Sequence, residues 1–220
     1  MNYVTPELGL KNLKSVGQEL SLKTDDTFGY SGIWLFTGAQ GSGKTLLMMH
    51  VAKQIMKEYP KCILVSNISI YGTPSFVYHG VEDFERYKNG ANGTIFLIDE
   101  IHTLYSSLQS AKMPESTLTV WSQNRKNRRV ILGTSQRFTR VAKGIREQTT
   151  YNYECTFPLF GRIFSYRVKQ GDEYDDNGKY TGEREPPRNF YVPNVNVMRM
   201  YNTLEVVNPE NVSRETLQKE

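Results

Sequence analysis

The stretch that decides the fold runs from Ile33 to Thr45 and reads IWLFTGAQGSGKT. It begins with a short run of apolar residues, as expected for a strand that is buried on both faces. A glycine-rich turn follows, and it matches the pattern G-x-x-x-x-G-K-[ST] at Gly38, Ala39, Gln40, Gly41, Ser42, Gly43, Lys44 and Thr45. The pattern is a specific signal where it follows a strand and opens a helix, and both are predicted here.

These residue types predict a cradle for a nucleoside triphosphate. Glycines allow the backbone to curl so that successive N–H groups face the phosphates, and the N-terminus of the next helix adds its positive end. The Lys44 ammonium is expected to contact the β- and γ-phosphates, and the Thr45 hydroxyl to coordinate Mg²⁺. We therefore predict that the turn binds ATP with magnesium. An ordinary glycine turn between a strand and a helix is the alternative.

Apolar strands and helical segments alternate over the first two thirds of the chain. The predicted strands are Ile33–Thr37, Cys62–Ser66, Thr94–Ile98 and Val130–Thr134, and the predicted helices are Lys44 to about Tyr59 and Glu115–Lys126. Strands that are separated by helices need crossover connections, which imply a mainly parallel sheet with both faces covered. The fold class is therefore α/β, with a P-loop NTPase core.

The pattern changes after Thr149 to alternating apolar and polar residues, and Asp176-Asn177-Gly178 predicts a hairpin turn. We divide the chain into a lead-in over 1–29, an ATPase core over 30–150, a β-rich extension of the same domain over 151–207, and a loose tail over 208–220.

An acidic pair, Asp99-Glu100, ends the predicted strand Thr94–Ile98. Ligands of open α/β sheets bind at the carboxyl ends of the strands, so both carboxylates are expected beside the phosphates. Asp99 is predicted to hold Mg²⁺ opposite Thr45. Glu100 is predicted to orient or deprotonate the attacking water, which favours hydrolysis over transfer to a small molecule. Alternatively, the pair only begins the next helix, where acidic residues favour the dipole.

A glutamine, Gln136, closes the fourth predicted strand in the sequence Gly133-Thr134-Ser135-Gln136. Its amide is expected beside the magnesium-binding strand, where it would sense the γ-phosphate and couple that phosphate to motion. The alternative is a polar residue that merely terminates the strand.

Composition excludes several classes of protein. The hydrophobic residues are 38% of the chain, which is enough to bury a core, and the apolar runs are far shorter than the roughly 20 residues of a membrane span. The two cysteines, Cys62 and Cys155, lack metal-ligand spacing, so neither a disulfide framework nor a zinc site is expected. The N-terminus lacks the pattern of a secretory signal, and a reducing cytoplasm is the expected compartment.

A basic segment, residues 125–146, contains no acidic residue, although the net charge of the chain is only +4. Its cations are Arg125, Lys126, Arg128, Arg129, Arg137, Arg140, Lys143 and Arg146. Arg140, Lys143 and Arg146 recur at intervals of three, which predicts one helix.

Three interpretations of the basic segment stay open. It is a solvated surface, a nucleic-acid track that uses Arg128, Arg129, Arg140 and Lys143, or the source of an arginine finger. Such a finger reaches the γ-phosphate of a neighbouring subunit. Arg125 and Arg146 are the best candidates for the finger, and the sequence does not separate them.

Several segments together resemble a known family: TGAQGSGKT, LVSNISI, TIFLIDEIHTL, QNRKNRRVILGTSQ, VAKGIREQ and MYNTLEVV. The set resembles the zonula occludens toxin-like ATPases of phages, within the FtsK–HerA superfamily, which also holds the genome-packaging ATPases of tailless icosahedral viruses. The resemblance covers about 33–207. Its phosphate-loop and Asp-Glu motifs are generic, whereas the Ser-Asn-Ile, Thr-Ser-Gln and Ile-Arg-Glu elements are more specific.

The resemblance implies an additional-strand, RecA-like core, a hexameric homo-oligomeric ring and ATP-driven movement of DNA. It matches Lys44 and Thr45 to the family's phosphate and Mg²⁺ contacts, Asp99 and Glu100 to its metal and catalytic carboxylates, and Gln136 to its sensor glutamine. Filamentous-phage members carry a membrane span after the ATPase domain, and we expect none here. This difference favours a packaging motor that acts with capsid or vertex proteins in the host cytoplasm or on the virion.

The leading hypothesis is therefore an ATP-hydrolysing motor that moves viral DNA into a preformed capsid. The runner-up is a phage assembly or secretion ATPase that engages coat proteins and a membrane partner. A small-molecule kinase and a nucleotide-gated binding module with negligible turnover are the remaining alternatives.

Overall fold

The computed structural model describes residues 27–108, 115–159, 163–193 and 195–201. The strands are β1 (Gly32–Thr37), β2 (Ile63–Ser66), β3 (Phe76–Val77), β4 (Thr94–Ile98), β5 (Arg129–Ser135), β6 (Thr149–Leu159), β7 (Ile163–Gln170) and β8 (Asn189–Tyr191). The helices are α1 (Lys44–Glu58), α2 (Asp83–Arg86), α3 (Ile101–Leu104), α4 (Glu115–Ser122), α5 (Lys143–Arg146) and α6 (Val195–Met198). Short 3₁₀ turns occupy Gly90–Asn92, Phe138–Arg140 and Gly171–Glu173. The predicted loose tail over 208–220 lies outside the described residues.

One eight-stranded sheet joins the described strands in the order β3-β2-β4-β5-β1-β6-β7-β8. In this order the first six strands are parallel to one another. β7 pairs antiparallel with β6, and β8 pairs antiparallel with β7. The α/β fold with a mainly parallel sheet is thus confirmed. The strand-rich extension continues the same sheet, because β6 pairs directly with β1.

The apolar run of β1 is buried on both faces of the sheet. Ile33 and Leu35 pack into one hydrophobic cluster, whereas Trp34 and Phe36 pack into the other, together with most of α1. These four side chains are at most 1% exposed. Two-sided burial explains why a central strand of a parallel sheet is apolar at successive positions.

The predicted helix over Arg140–Arg146 is wrong. A 3₁₀ turn ends at Arg140, Val141 is extended, and the short helix α5 begins only at Lys143. Val141 forms a bridge with Ser106, and the Ala142 N–H donates to the carbonyl of Tyr105. Pairing with a distant segment therefore overrides the local helical spacing.

The remaining predicted elements agree with the structure within a few residues, and the 176–178 turn is present, with Gly178 at φ 77°. The predicted helix from Glu115 is shorter than expected, because it ends at Ser122. Within the described ranges, no helix combines the length and the apolar character that crossing a membrane requires.

Candidate active site

The phosphate loop, residues 38–45, connects β1 to α1 and is shaped by close backbone contacts. Gly43 precedes α1 with φ 82°, a left-handed conformation that glycine adopts without strain. A Cβ atom on Gly38 would lie only 2.4 Å from the carbonyl oxygen of Cys155 in β6. The Tyr191 hydroxyl of β8 donates to the carbonyl of Gly43 at 3.3 Å. The β-rich extension therefore supports the loop from one side.

Two buried polar groups in the loop fit a phosphate ligand. Lys44 is 7% exposed, and its ammonium donates to the carbonyl of Ala39 at 3.1 Å. The Ser42 hydroxyl is buried without a hydrogen-bond partner among the described residues. A buried group of this kind costs free energy unless it is bonded, and phosphate oxygens would supply the missing acceptor.

The Asp99 carboxylate, just after β4, faces the phosphate loop and accepts hydrogen bonds from two hydroxyl groups. Thr45 Oγ1 donates to Asp99 Oδ1 at 2.8 Å, and Thr134 Oγ1 of β5 donates to the same oxygen at 2.7 Å. Asn67, just after β2, bonds both backbone groups of Asp99, at 2.8 and 2.9 Å. Hydroxyl and carboxylate oxygens are the ligands that Mg²⁺ prefers, so Thr45 and Asp99 fit the predicted metal site.

Glu100 is held in an unusual backbone conformation, with φ 49°. Its N–H donates to Thr134 Oγ1 at 2.8 Å, which ties it to the same network as Asp99. Burial and then the neighbouring Asp99 raise the pKa of the Glu100 carboxyl, whereas Lys44 and Arg140 lower it. Left-handed non-glycine residues cluster at active sites, where the surrounding structure over-determines them. This placement fits the predicted catalytic carboxylate.

His102, in α3, contacts the Glu100 carboxylate, a contact that the sequence did not predict. Its Nδ1 lies 3.2 Å from Glu100 Oε2 and 3.2 Å from Ser135 Oγ. The Ser135 hydroxyl already donates to the carbonyl of Arg137, so the network assigns the proton to Nδ1 of His102. Burial, Arg140 and Lys44 lower the pKa of His102, which favours the neutral ring.

The predicted sensor, Gln136, follows β5 at the same sheet edge. Its side-chain oxygen accepts a hydrogen bond from Arg140 Nη1 at 2.6 Å. The 3₁₀ turn Phe138–Arg140 thus brings an exposed arginine beside the two residues whose pKa values it lowers, Glu100 and His102. Arg140, predicted as a nucleic-acid contact, therefore lies at the carboxyl ends of the parallel strands, beside the predicted nucleotide site.

The basic segment does not form one continuous surface, because β5 divides it. Arg125 and Arg128 precede β5, and the Arg128 carbonyl accepts from Thr94 at the start of β4. They lie near the amino ends of the parallel strands, whereas the phosphate loop lies at the carboxyl ends. β5 has seven residues, so its amino end is about 20 Å from Gln136. The predicted track is thus split into two groups of cations.

The prediction of Arg129 as a nucleic-acid contact is wrong, because the side chain is 1% exposed. Its guanidinium donates to Asn124 Oδ1 at 2.6 Å, to the Phe84 carbonyl at 2.9 Å and to the Val120 carbonyl. It also lies 5.0 Å from the centroid of the Phe84 ring. Burial lowers the pKa of Arg129 to about 10, so the group remains charged at neutral pH. Arg129 joins α2 and α4 to the sheet.

We expect Arg129→Met to destabilise the fold by about 3 kcal/mol, because it leaves buried acceptors without donors. Arg125→Met, which changes an exposed neighbour, should shift the free energy of unfolding by less than about 0.5 kcal/mol. Urea denaturation of both variants measures the difference. Equal stability of the two variants would contradict this role for Arg129.

Arg146 and Lys143 face the 171–180 segment of their own chain. The Arg146 guanidinium lies 5.9 Å from the Phe138 ring centroid and donates to the Asp176 carbonyl at 3.5 Å. The Lys143 ammonium is 3.3 Å from Asp176 Oδ2 and 3.6 Å from Glu147 Oε1. Arg125 is exposed by comparison. These contacts make Arg125 a better candidate than Arg146 for a group that reaches another subunit.

The phosphate loop, the buried lysine and the acidic pair at the neighbouring strand end define a P-loop nucleoside triphosphatase. The family model of the ATPase family associated with various cellular activities (AAA) matches residues 34–159. The chain belongs to this family and is an ATP-hydrolysing enzyme. No curated protein sequence matches it.

Solved structures show the same fold at low sequence identity. The N-terminal domain of zonular occludens toxin from Neisseria meningitidis has a TM-score of 0.59 and 16% identity, covering 79% of this chain and 100% of that one. The genome packaging NTPase B204 from Sulfolobus turreted icosahedral virus 2, in complex with ATP-gammaS, has a TM-score of 0.50 and 14% identity, covering 74% and 97%. The resemblance drawn from the sequence is thus confirmed at the level of the fold.

The structure brings together Lys44, Thr45, Asp99, Glu100 and Gln136 at one sheet edge. Sequence reasoning missed Asn67 and Thr134, which fix Asp99 and Glu100, although both lie within the Ser-Asn-Ile and Thr-Ser-Gln elements. For Asn67, the available signal was a polar residue directly after a buried strand. No sequence signal placed Arg140 beside the site, because its position depends on the bridge between Val141 and Ser106.

Proposed function

We propose that this ATPase is a ring-forming motor, assembled as a hexamer, that drives viral DNA into a preformed capsid in the host cytoplasm. The hydrogen bond between Gln136 and Arg140 carries the proposal, because it connects the predicted γ-phosphate sensor to an exposed cation of the basic segment. The shared fold with a genome packaging NTPase supports it.

In the hydrolytic step, Lys44 and the N–H groups of the loop would hold the triphosphate. Thr45 and Asp99 would hold Mg²⁺, which would neutralise charge on the phosphate oxygens. Glu100, positioned by His102 and Thr134, would accept a proton from water as the water oxygen attacks the γ-phosphorus and ADP leaves. Burial raises the pKa of the Glu100 carboxyl, and a raised pKa makes this carboxylate a better proton acceptor.

Coupling to DNA would begin at Gln136. Departure of the γ-phosphate would change what the Gln136 amide contacts, and Arg140 already donates a hydrogen bond to the oxygen of that amide. Exposed arginines in the segment, such as Arg137 and Arg140, would then contact DNA phosphates without reading the sequence. The second basic group, at the opposite sheet edge, would face a neighbouring subunit in the ring, because a head-to-tail interface joins unlike surfaces.

The test measures the ATPase rate without DNA, with single-stranded DNA and with double-stranded DNA. The oligomeric state of the same protein sample is measured by light scattering. Polyglutamate at matched charge is the control for a general polyanion effect. We expect stimulation by DNA only, in an assembled ring, and DNA binding that weakens steeply with salt. An assembled, active ring that ignores both DNA forms would contradict translocation.

A phage assembly or secretion ATPase that acts with a membrane partner is the second candidate. The shared fold with the N-terminal domain of zonular occludens toxin, which the chain covers in full, favours it. Co-purification with a membrane channel, together with an ATPase rate that DNA does not change, would support this candidate over the packaging motor.

A further inference from the structure

The two sides of the phosphate loop differ in chemistry. β4 and β5 lie on one side of β1 and carry Asp99, Glu100 and Thr134, whereas β6 lies on the other side. The acidic pair and the Lys44 ammonium would receive the β- and γ-phosphates and their magnesium. A triphosphate oriented in this way would direct its nucleoside away from β4 and β5, toward β6 and β7.

An exposed aromatic side chain, Phe157, lies on that other side. A Cβ atom on Gly41, in the loop, would be 3.9 Å from Phe157 Cε1, so the ring borders the loop. Phe157 lies two residues after Cys155, whose carbonyl approaches Gly38 of the loop, at the point where the register between β6 and β7 shifts. Its side chain is 67% exposed.

The neighbouring aromatic residues, Phe164 and Tyr191, already pack against the loop and against each other. A Cβ atom on Gly43 would lie 2.4 Å from Phe164 Cδ1, so this ring packs directly against the loop. Phe164 also packs with Tyr191, at 5.5 Å between ring centroids, and Tyr191 bonds the Gly43 carbonyl. In the part of the chain that the structure describes, no aromatic ring packs against Phe157.

We propose that Phe157 stacks on the nucleobase of the bound ATP. A flat apolar ring beside a phosphate cradle, on the side away from the catalytic carboxylates, matches the π-face of a purine. Base–aromatic stacking contributes enough affinity for its loss to weaken binding by roughly 5- to 150-fold. The assignment rests on the phosphate site at residues 38–45 and adds the residue that would distinguish a nucleotide from a bare polyphosphate.

The experiment compares two ligands, Mg·ATP and Mg·tripolyphosphate, by calorimetry on the full chain. We expect Phe157→Ala to weaken ATP binding about 10-fold while tripolyphosphate binding stays within twofold of wild type. Phe157→Trp should retain ATP affinity, and ATP but not tripolyphosphate should quench its added indole fluorescence. Phe76→Ala is the matched control, because Phe76 is 49% exposed on β3 at the far edge of the sheet.

Each contrary outcome has its own meaning. Unchanged ATP affinity in Phe157→Ala would overturn the proposal, and so would an equal loss for both ligands, which would make Phe157 a support for the loop. Loss of assembly by light scattering, with unchanged ATP affinity for each subunit, would make it a subunit contact instead. If the wild type binds neither ligand, the phosphate site itself is wrong.

Discussion

Glu100→Gln should lower the rate of ATP hydrolysis by about 10²–10⁴-fold, the contribution typical of a general base. The amide keeps the shape of the side chain but cannot accept the proton of the attacking water. Affinity for ATP should stay within a few-fold of wild type, because Lys44 and the loop are untouched. Steady-state phosphate release and ATP titration measure the two effects separately.

Glu85→Gln is the matched control for this substitution, since Glu85 is an exposed glutamate that pairs with Lys88 away from the loop. Its ATPase rate should equal that of the wild type. A Glu100→Gln enzyme that still turns over ATP at the normal rate would remove Glu100 from the chemistry and leave the base unidentified.

Arg125→Ala should lower the rate about 10³-fold while ATP affinity is retained, as expected for an arginine finger. Arg125 lies at the sheet edge opposite its own loop, with the length of β5 between them, so it would act only on a neighbouring subunit. Lys126→Ala, which changes the adjacent exposed cation, is the control and should leave the rate unchanged.

Mixing two variants in one ring tests whether Arg125 acts on the phosphate site of a neighbouring subunit. Arg125→Ala subunits retain an intact loop, and Lys44→Met subunits retain Arg125, so a mixed ring contains interfaces with both parts. We expect activity to reappear on mixing, although each variant alone is inactive. A mixture as inactive as its components, in rings of confirmed mixed composition, would contradict a finger in trans.

The central part of the fold could be predicted because local pattern and tertiary environment agree there. The run of β1 is apolar at successive positions since both of its faces are buried, and the Thr94–Ile98 strand has the predicted bounds for the same reason. The Arg140–Arg146 helix could not be predicted correctly, because the extended conformation of Val141 depends on a bridge to Ser106, far away in the sequence.

The same distinction applies to charge. In the sequence Arg129 resembles the other cations of the basic segment, since every charged residue of that segment is positive. Only the structure shows that the acceptors of Asn124, Phe84 and Val120 converge on its guanidinium and bury it. Residue type reports which charge a side chain carries, whereas burial depends on elements that are distant along the chain.

The amino-acid sequence by itself determined the phosphate loop and the acidic pair, because spacing within a strand–turn–helix unit defines the first and a strand end defines the second. Tertiary structure alone decided that Thr134 and Asn67 hold Asp99, that Arg140 meets Gln136, and that Phe157 borders the loop from β6. Apart from the hydrogen bond between Gln136 and Arg140, which are four residues apart, these contacts join segments at the ends of different strands. Their distances depend on the order of the strands in the sheet, which no local pattern encodes.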